Sequence, residues 1–158
     1  MKKRKTYQGK LISMPDNGIF VFGSNTEGRH GKGAALIAKM QFGAIQFQAR
    51  GLQGRAYGIV TKDLTKKVHP SVSKAQIEAE IRLLYQYAAL DPEHDYYIAY
   101  GTAKNLNCYT PQEMADMFSI WEPPMNIVFN VDFHKLITFK QNGEPGEIPF
   151  VSNPGVAS

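Results

Sequence analysis

The side chains with chemical reach crowd into one stretch. Between Gly23 and Gly33 the chain interleaves Ser24, Asn25, Arg29, His30 and Lys32 with four glycines, Gly23, Gly28, Gly31 and Gly33. Glycines let a backbone turn through positive φ and approach a ligand with no Cβ in the way, and basic side chains beside them suit an anion, phosphate above all. Asn25 offers an amide donor and a carbonyl acceptor, the equipment to hold a pair of ribose hydroxyls; the same group can close an Asx turn instead. Histidine as a residue type trades protons near neutral pH, so His30 is a candidate acid–base or phosphate-donating group, or simply a solvated loop side chain. Arg29 and Lys32 can pair a diphosphate or sit on the surface.

Two further loops carry candidate groups. After the apolar run 57–60 come Thr61, Lys62 and Asp63; Asp63 can accept from an adenine amino group or a ribose, or cap the next turn. A third loop holds Gly101, Thr102, Ala103, Lys104, Asn105, Asn107 and Tyr109, where Tyr109 can stack on a base or ribose, or pack against the element that follows.

Alternating strands and helices must position these loops. The apolar run 19–22 reads as a strand buried on both faces, and 33–42, rich in alanine, reads as a helix able to lie close to a sheet. Strands are expected at 57–60, 96–100 and 126–129, with an edge strand at 10–13 and a possible addition at 135–139. Residues 73–89 form the most secure helix: Ser73 and Gln76 make a capping box, and Ile77, Ile81, Leu84 and Ala88 recur at helical spacing. Thr110, Pro111 and Glu113 open another helix over 111–119. Trp121, Met114 and Met117 are assigned to the core. Strand–loop–helix units in series imply an α/β fold with a mostly parallel sheet covered by helices on both sides. Ligands in such folds bind outside the carboxyl ends of the strands, so the three loops are expected to form one pocket.

Composition limits the alternatives. A chain of 158 residues with 43% hydrophobic content fits one domain, expected over 10–140 between a basic flexible arm at 1–9 and a loose Pro/Gly-rich tail at 141–158. The net charge of +4 is that arm's, because Lys2, Lys3, Arg4 and Lys5 account for the excess of eighteen bases over fourteen acids. The arm reads as a solubilising terminus, and nucleic acid as an unlikely partner. With no long apolar run and no secretory signal, a soluble cytoplasmic protein without membrane contact is expected. Lone Cys108 fits a reducing compartment and has no second cysteine for a disulfide or a zinc site, so neither metal nor cofactor is expected. The glycine loop fails the Walker pattern, because in the Gly28 frame it offers Gly33-Ala34 where Gly-Lys-Ser or Gly-Lys-Thr is required. It also fails the dinucleotide fingerprint, lacking the third glycine and the later acid.

At these residues the chain resembles the macro domains, in particular a bacterial and bacteriophage subgroup. The resemblance is carried by 19–25 (Ile-Phe-Val-Phe-Gly-Ser-Asn), by 28–35 (Gly-Arg-His-Gly-Lys-Gly-Ala-Ala), and by 42–44, 51–54, 57–63, 110–118 and 126–128, within a span of about 18–133. It implies a three-layer α/β/α fold with a mostly parallel mixed sheet, and a ligand of the ADP-ribose class. The Asn25 position would face the distal ribose and the glycine loop would wrap the diphosphate. It also implies that an ADP-ribosylated macromolecule is a possible partner. Some relatives hydrolyse ADP-ribosyl linkages or ADP-ribose phosphates with water activated largely by the substrate's own phosphate, for which Asn25 and His30 are the candidate catalytic residues. Others only bind, and a binding protein that sequesters a nucleotide signal or a host partner is the alternative. The chain departs from the pattern at 101–109, where the subgroup has more glycines. Cβ atoms at Ala103, Asn105 and Asn107 would crowd a diphosphate, while Lys104, Asn105 and Asn107 can supply side-chain donors.

Overall fold

The computed structural model describes residues 4–11, 13–101 and 107–138. Among them six strands form one mixed sheet, β1 (Thr6–Tyr7), β2 (Gly18–Asn25), β3 (Gly51–Gln53), β4 (Ala56–Lys62), β5 (Asp95–Ile98) and β6 (Ile127–Asn130). The sheet order is β1-β6-β5-β2-β4-β3, and every pairing is parallel except that of β3 with β4. Four helices accompany it: α1 (Gly33–Gln41), α2 (Lys74–Ala89), α3 (Pro111–Phe118) and α4 (Val131–His134).

β2 is the centre of the fold because its side chains alternate into two separate apolar clusters. Phe20 and Phe22 meet Ala35, Ala38 and Phe42 on one face, with the Phe20 and Phe42 rings 4.9 Å apart. The alanines of α1 let its backbone come close to these rings. Ile19 and Val21 point the other way, into a larger cluster with Ile77, Ile81 and Leu84 of α2, and Met117 and Phe118 of α3. Helices therefore cover both faces of the sheet.

Both expected capping boxes are present, Ser73 with Gln76 and Thr110 with Glu113. Each satisfies two backbone amides that the first helical turn leaves without partners. Tyr85 of α2 donates its hydroxyl to the Phe118 carbonyl at 2.6 Å and so ties the two helices together.

The sheet's margins differ from the sequence expectation. Residues 10, 11 and 13 are not strand; the edge strand lies earlier, at Thr6–Tyr7, inside the stretch expected to be a loose arm, and pairs with β6. Arg4 holds it there, its guanidinium donating to the carbonyls of Pro123, Pro124 and Ile127 at 2.7 to 3.0 Å. A run of four basic residues signals solvation, and here one of them is consumed by three carbonyls that no sequence pattern announces. The strand considered at 135–139 is instead a turn through Leu136 that follows α4, with Phe139 outside the described residues. Asn130 starts that helix by accepting from the amides of Asp132 and Phe133. Strand β3 was not anticipated, being three residues between glycine-rich turns.

Among the described residues no helix is long and apolar enough to cross a membrane, and no group of three or more His, Cys, Asp or Glu side chains is placed to hold a metal ion.

Candidate functional site

The chain runs from β2 through α1 to β4 on one side, then returns through α2 to β5 on the other side of β2. Strand order therefore reverses between β2 and β5, and the carboxyl ends of strands at such a reversal leave a crevice. A cavity of about 380 Å³ opens there. Its rim takes Gly23 from the end of β2, Thr61 from β4, Gly101 after β5 and Lys32 and Gly33 from the start of α1. One wall is Phe20, Phe22, Leu11 and Ala34 from the α1 face of the sheet; the other is Val21, Ile59, Phe118 and Phe133 from the α2 and α3 face. The cleft thus straddles the sheet's edge and can hold a ligand with two bulky ends and a polar middle.

The polar middle is the open start of α1. Lys32 is extended (φ −148°, ψ 158°) and supplies no side-chain cap, Gly33 turns through φ +57°, and the first helical bond runs from the Leu36 amide to the Lys32 carbonyl. The amides of Gly33, Ala34 and Ala35 have no acceptor among the described residues. Such free N–H groups at a helix start favour an anion, and a left-handed glycine just before them gathers successive N–H groups into a concave nest. The described lining adds two ammonium groups, Lys10 and Lys32, and no carboxylate.

The sequence candidates divide sharply. Gly23, Lys32, Gly33, Thr61, Gly101 and Asn107 line the cavity. Thr61 is buried and donates to the Ser24 carbonyl at 3.3 Å, and Asn107 accepts from the Tyr109 amide at 2.9 Å. Gly31 is exposed with open space around its Cα. Thr102, Ala103, Lys104 and Asn105 lie outside the described residues.

The remaining candidates are spent on the fold. Asn25 closes a turn, its amide donating to the Arg29 carbonyl at 2.8 Å and its carbonyl oxygen accepting from the Arg29 amide at 2.9 Å, so of the two roles open to it the Asx-type turn is the one formed. Arg29 faces outward beside Glu27 at 3.4 Å. Gly28 is left-handed and packed against the Phe47 backbone. Ser24 is buried, and the Lys62 carbonyl accepts from the Thr26 amide. Asp63 caps a turn, accepting from the amide and hydroxyl of Thr65 at 2.9 and 2.6 Å; these bonds hold its carboxyl below the usual range. Tyr109 is buried in the core, its hydroxyl donating to the Val72 carbonyl at 2.6 Å.

His30 is wholly buried, 0% exposed, edge-on to the Phe22 ring, and does not line the cavity. Its Nε2 lies 3.1 Å from Gln53 Oε1, which also accepts from the Ile45 amide, while Gln53 Nε2 donates to the carbonyls of Gln48 and Gly51. Those bonds fix the orientation of the Gln53 amide, so His30 carries its proton on Nε2. Its Nδ1 has no partner among the described residues.

Sequence reasoning missed Tyr7, Lys10 and Leu11, all in the cavity wall. Tyr7 donates to the Ile98 carbonyl at 2.6 Å, and burial pushes its phenol well above the ordinary range. Only the parallel pairing of β1 with β6 brings this segment to the site, and two residues give no strand signal of their own.

No protein-family model, no curated protein and no solved structure matches this chain.

Proposed function

We propose that this protein binds ADP-ribose or a related nucleotide derivative in the cleft over β2 and β5. The observation that carries the reading is the open start of α1, three free amides beside Lys32 in a cavity with no described carboxylate. That is the polarity a diphosphate requires. The apolar walls on either side of the sheet suit the two nucleoside-like ends, and 380 Å³ falls within the range of small-molecule sites. Helices on both faces of a mixed, mostly parallel sheet agree with the three-layer macro-type fold that the sequence resemblance implies, and support the same ligand class.

Binding without turnover is the form of this reading that the lining favours. Among the described lining residues there is no carboxylate, histidine or cysteine to move a proton, and Asn25 and His30 are bonded elsewhere. Hydrolysis would therefore rest on water activated by the ligand's own phosphate.

Calorimetric titration of the full chain with ADP-ribose tests the proposal, with AMP and ribose 5-phosphate as half-ligands. Saturable binding, weaker for either half and weakened by salt, is expected; a folded protein that takes up no heat at millimolar ADP-ribose overturns it. Release of ADP-ribose from modified protein or nucleic acid at catalytic protein concentration would restore the hydrolase reading.

A further inference from the structure

The two ends of the cavity differ in what stands at each. The open amides and Lys32 belong to the start of α1, whose Ala35 packs on the Phe20 and Phe22 rings of β2. The far end lies over β5 and β6. Asn130, the last residue of β6, donates to the Gly9 carbonyl at 3.2 Å and so anchors the segment that carries Lys10 and Leu11 into the cavity wall. In the sheet, β6 is two strands from β2, about 10 Å at the usual strand spacing. A 5′-phosphate and the outer edge of its base are separated by a comparable span, so a base whose diphosphate sits on the α1 amides ends beside Lys10.

That end suits a flat ring. Half-buried Tyr100, with the Phe133 ring centroid 5.0 Å from its own, belongs to the α2 and α3 face of the sheet, and Leu11 packs on the α1 face opposite. All three line the cavity. The polarity there is one-sided: Lys10 makes no hydrogen bond or ion pair among the described residues, and no described lining side chain is a carboxylate. An ammonium carries three donors and no acceptor. It bonds well to an oxo group or a ring nitrogen, whereas an amino group beside it sets donor against donor.

We propose that Lys10 selects the base, so that the site prefers a diphosphate ribose carrying a 6-oxopurine, hypoxanthine or guanine, over ADP-ribose itself. The inference rests on the nucleotide-binding function proposed above and narrows its ligand. A diphosphate is already met by three free amides and by Lys32, which leaves the second ammonium for the base. Adenine fits the same slot through stacking and its ring nitrogens, and binds less tightly because its amino group finds no described carboxylate to accept from it.

The test is calorimetric titration of the full chain with ADP-ribose and with its deaminated form, in which an oxo group replaces the 6-amino group. The deaminated ligand should bind on the order of tenfold more tightly, the discrimination one good base-edge contact gives. Lys10→Met keeps the aliphatic stem and should erase that preference, with ribose 5-phosphate affinity and melting temperature unchanged. Tyr100→Leu should weaken both purine ligands on the order of tenfold by removing the stacked ring, and spare ribose 5-phosphate. Equal or tighter binding of ADP-ribose, or unchanged purine affinity in Tyr100→Leu, overturns the base selection and leaves the nucleotide-binding function standing; no binding of either purine ligand overturns both. If Lys10→Met weakens the purine ligands and ribose 5-phosphate alike, Lys10 serves a phosphate and the proposal fails.

Discussion

The stretch from the end of β2 to the start of α1 is two regions with opposite fates. Its first part, Ser24 through His30, closes on itself: Asn25 is bonded both ways to Arg29, Gly28 is pressed against Phe47, and His30 is buried against Phe22 and Gln53. Its second part, Gly31 through Gly33, leaves backbone amides free and space open. Identical residue types do different work a few positions apart. The polar side chains of this glycine-rich loop stabilise the loop itself, and what stays open is backbone.

The sharpest way to break this comparison is at its glycines. A Cβ at Gly28 would lie 2.5 Å from the Phe47 carbonyl carbon and 2.7 Å from the Gln48 amide, on a backbone at φ +65°. Gly28→Ala should therefore cost about 3 kcal/mol or more in urea unfolding, because neither backbone atom can step aside. At Gly31 the added methyl meets nothing within 4 Å, and Gly31→Ala should stay within about 0.5 kcal/mol of the parent. Comparable losses at both positions would show that the loop is one structural unit.

His30 extends the contrast. His30→Ala removes a fully buried ring and its bond to Gln53, which should cost about 2–3 kcal/mol of stability. The affinity of the folded protein for ADP-ribose should not change, since the ring does not reach the cavity. A drop in affinity with stability preserved would reverse that assignment.

How far the sequence could be read follows the same division. Elements with local signals were legible: the buried run of β2, the alanine face of α1, and both capping boxes, because each is decided by residues within a few positions. The cavity's site was legible too, since strand–loop–helix order alone implies open loops at the carboxyl ends. What stayed hidden depends on distant pairing. Arg4 finds carbonyls more than a hundred residues away, and Tyr7, Lys10 and Leu11 reach the cavity only because β1 lies beside β6. The fate of His30 is set by Gln53 across a strand missed for its shortness.

Lys32 tests the open half directly. It lines the cavity at the start of α1 and makes no described bond to the fold, so Lys32→Gln should leave the melting temperature unchanged. Affinity for ADP-ribose should fall by roughly five- to tenfold, about 1 kcal/mol, and the salt dependence of binding should flatten as one phosphate contact is lost. An unaltered salt dependence would separate Lys32 from the anion and leave the helix amides alone as its partner.

The smallest effect is expected at Asp63, the counterpart of the closed half at the end of β4. Hydrogen bonds from Thr65 hold its carboxyl below the ordinary range, so the folded state binds that proton less tightly than the unfolded chain does. The stabilisation it contributes is present in full above the unfolded value, about 4, and is lost as pH falls through the lower folded value. Asp63 is only half-buried, so solvent screens the effect. Thermal melts of Asp63→Asn and parent should differ slightly at pH 7 and converge by about pH 3, with ADP-ribose affinity at neutral pH unaltered. If Asp63→Asn instead weakens ADP-ribose at pH 7 while the melts coincide, the carboxylate faces the ligand, and the exit of β4 belongs with the open half of the β2 loop.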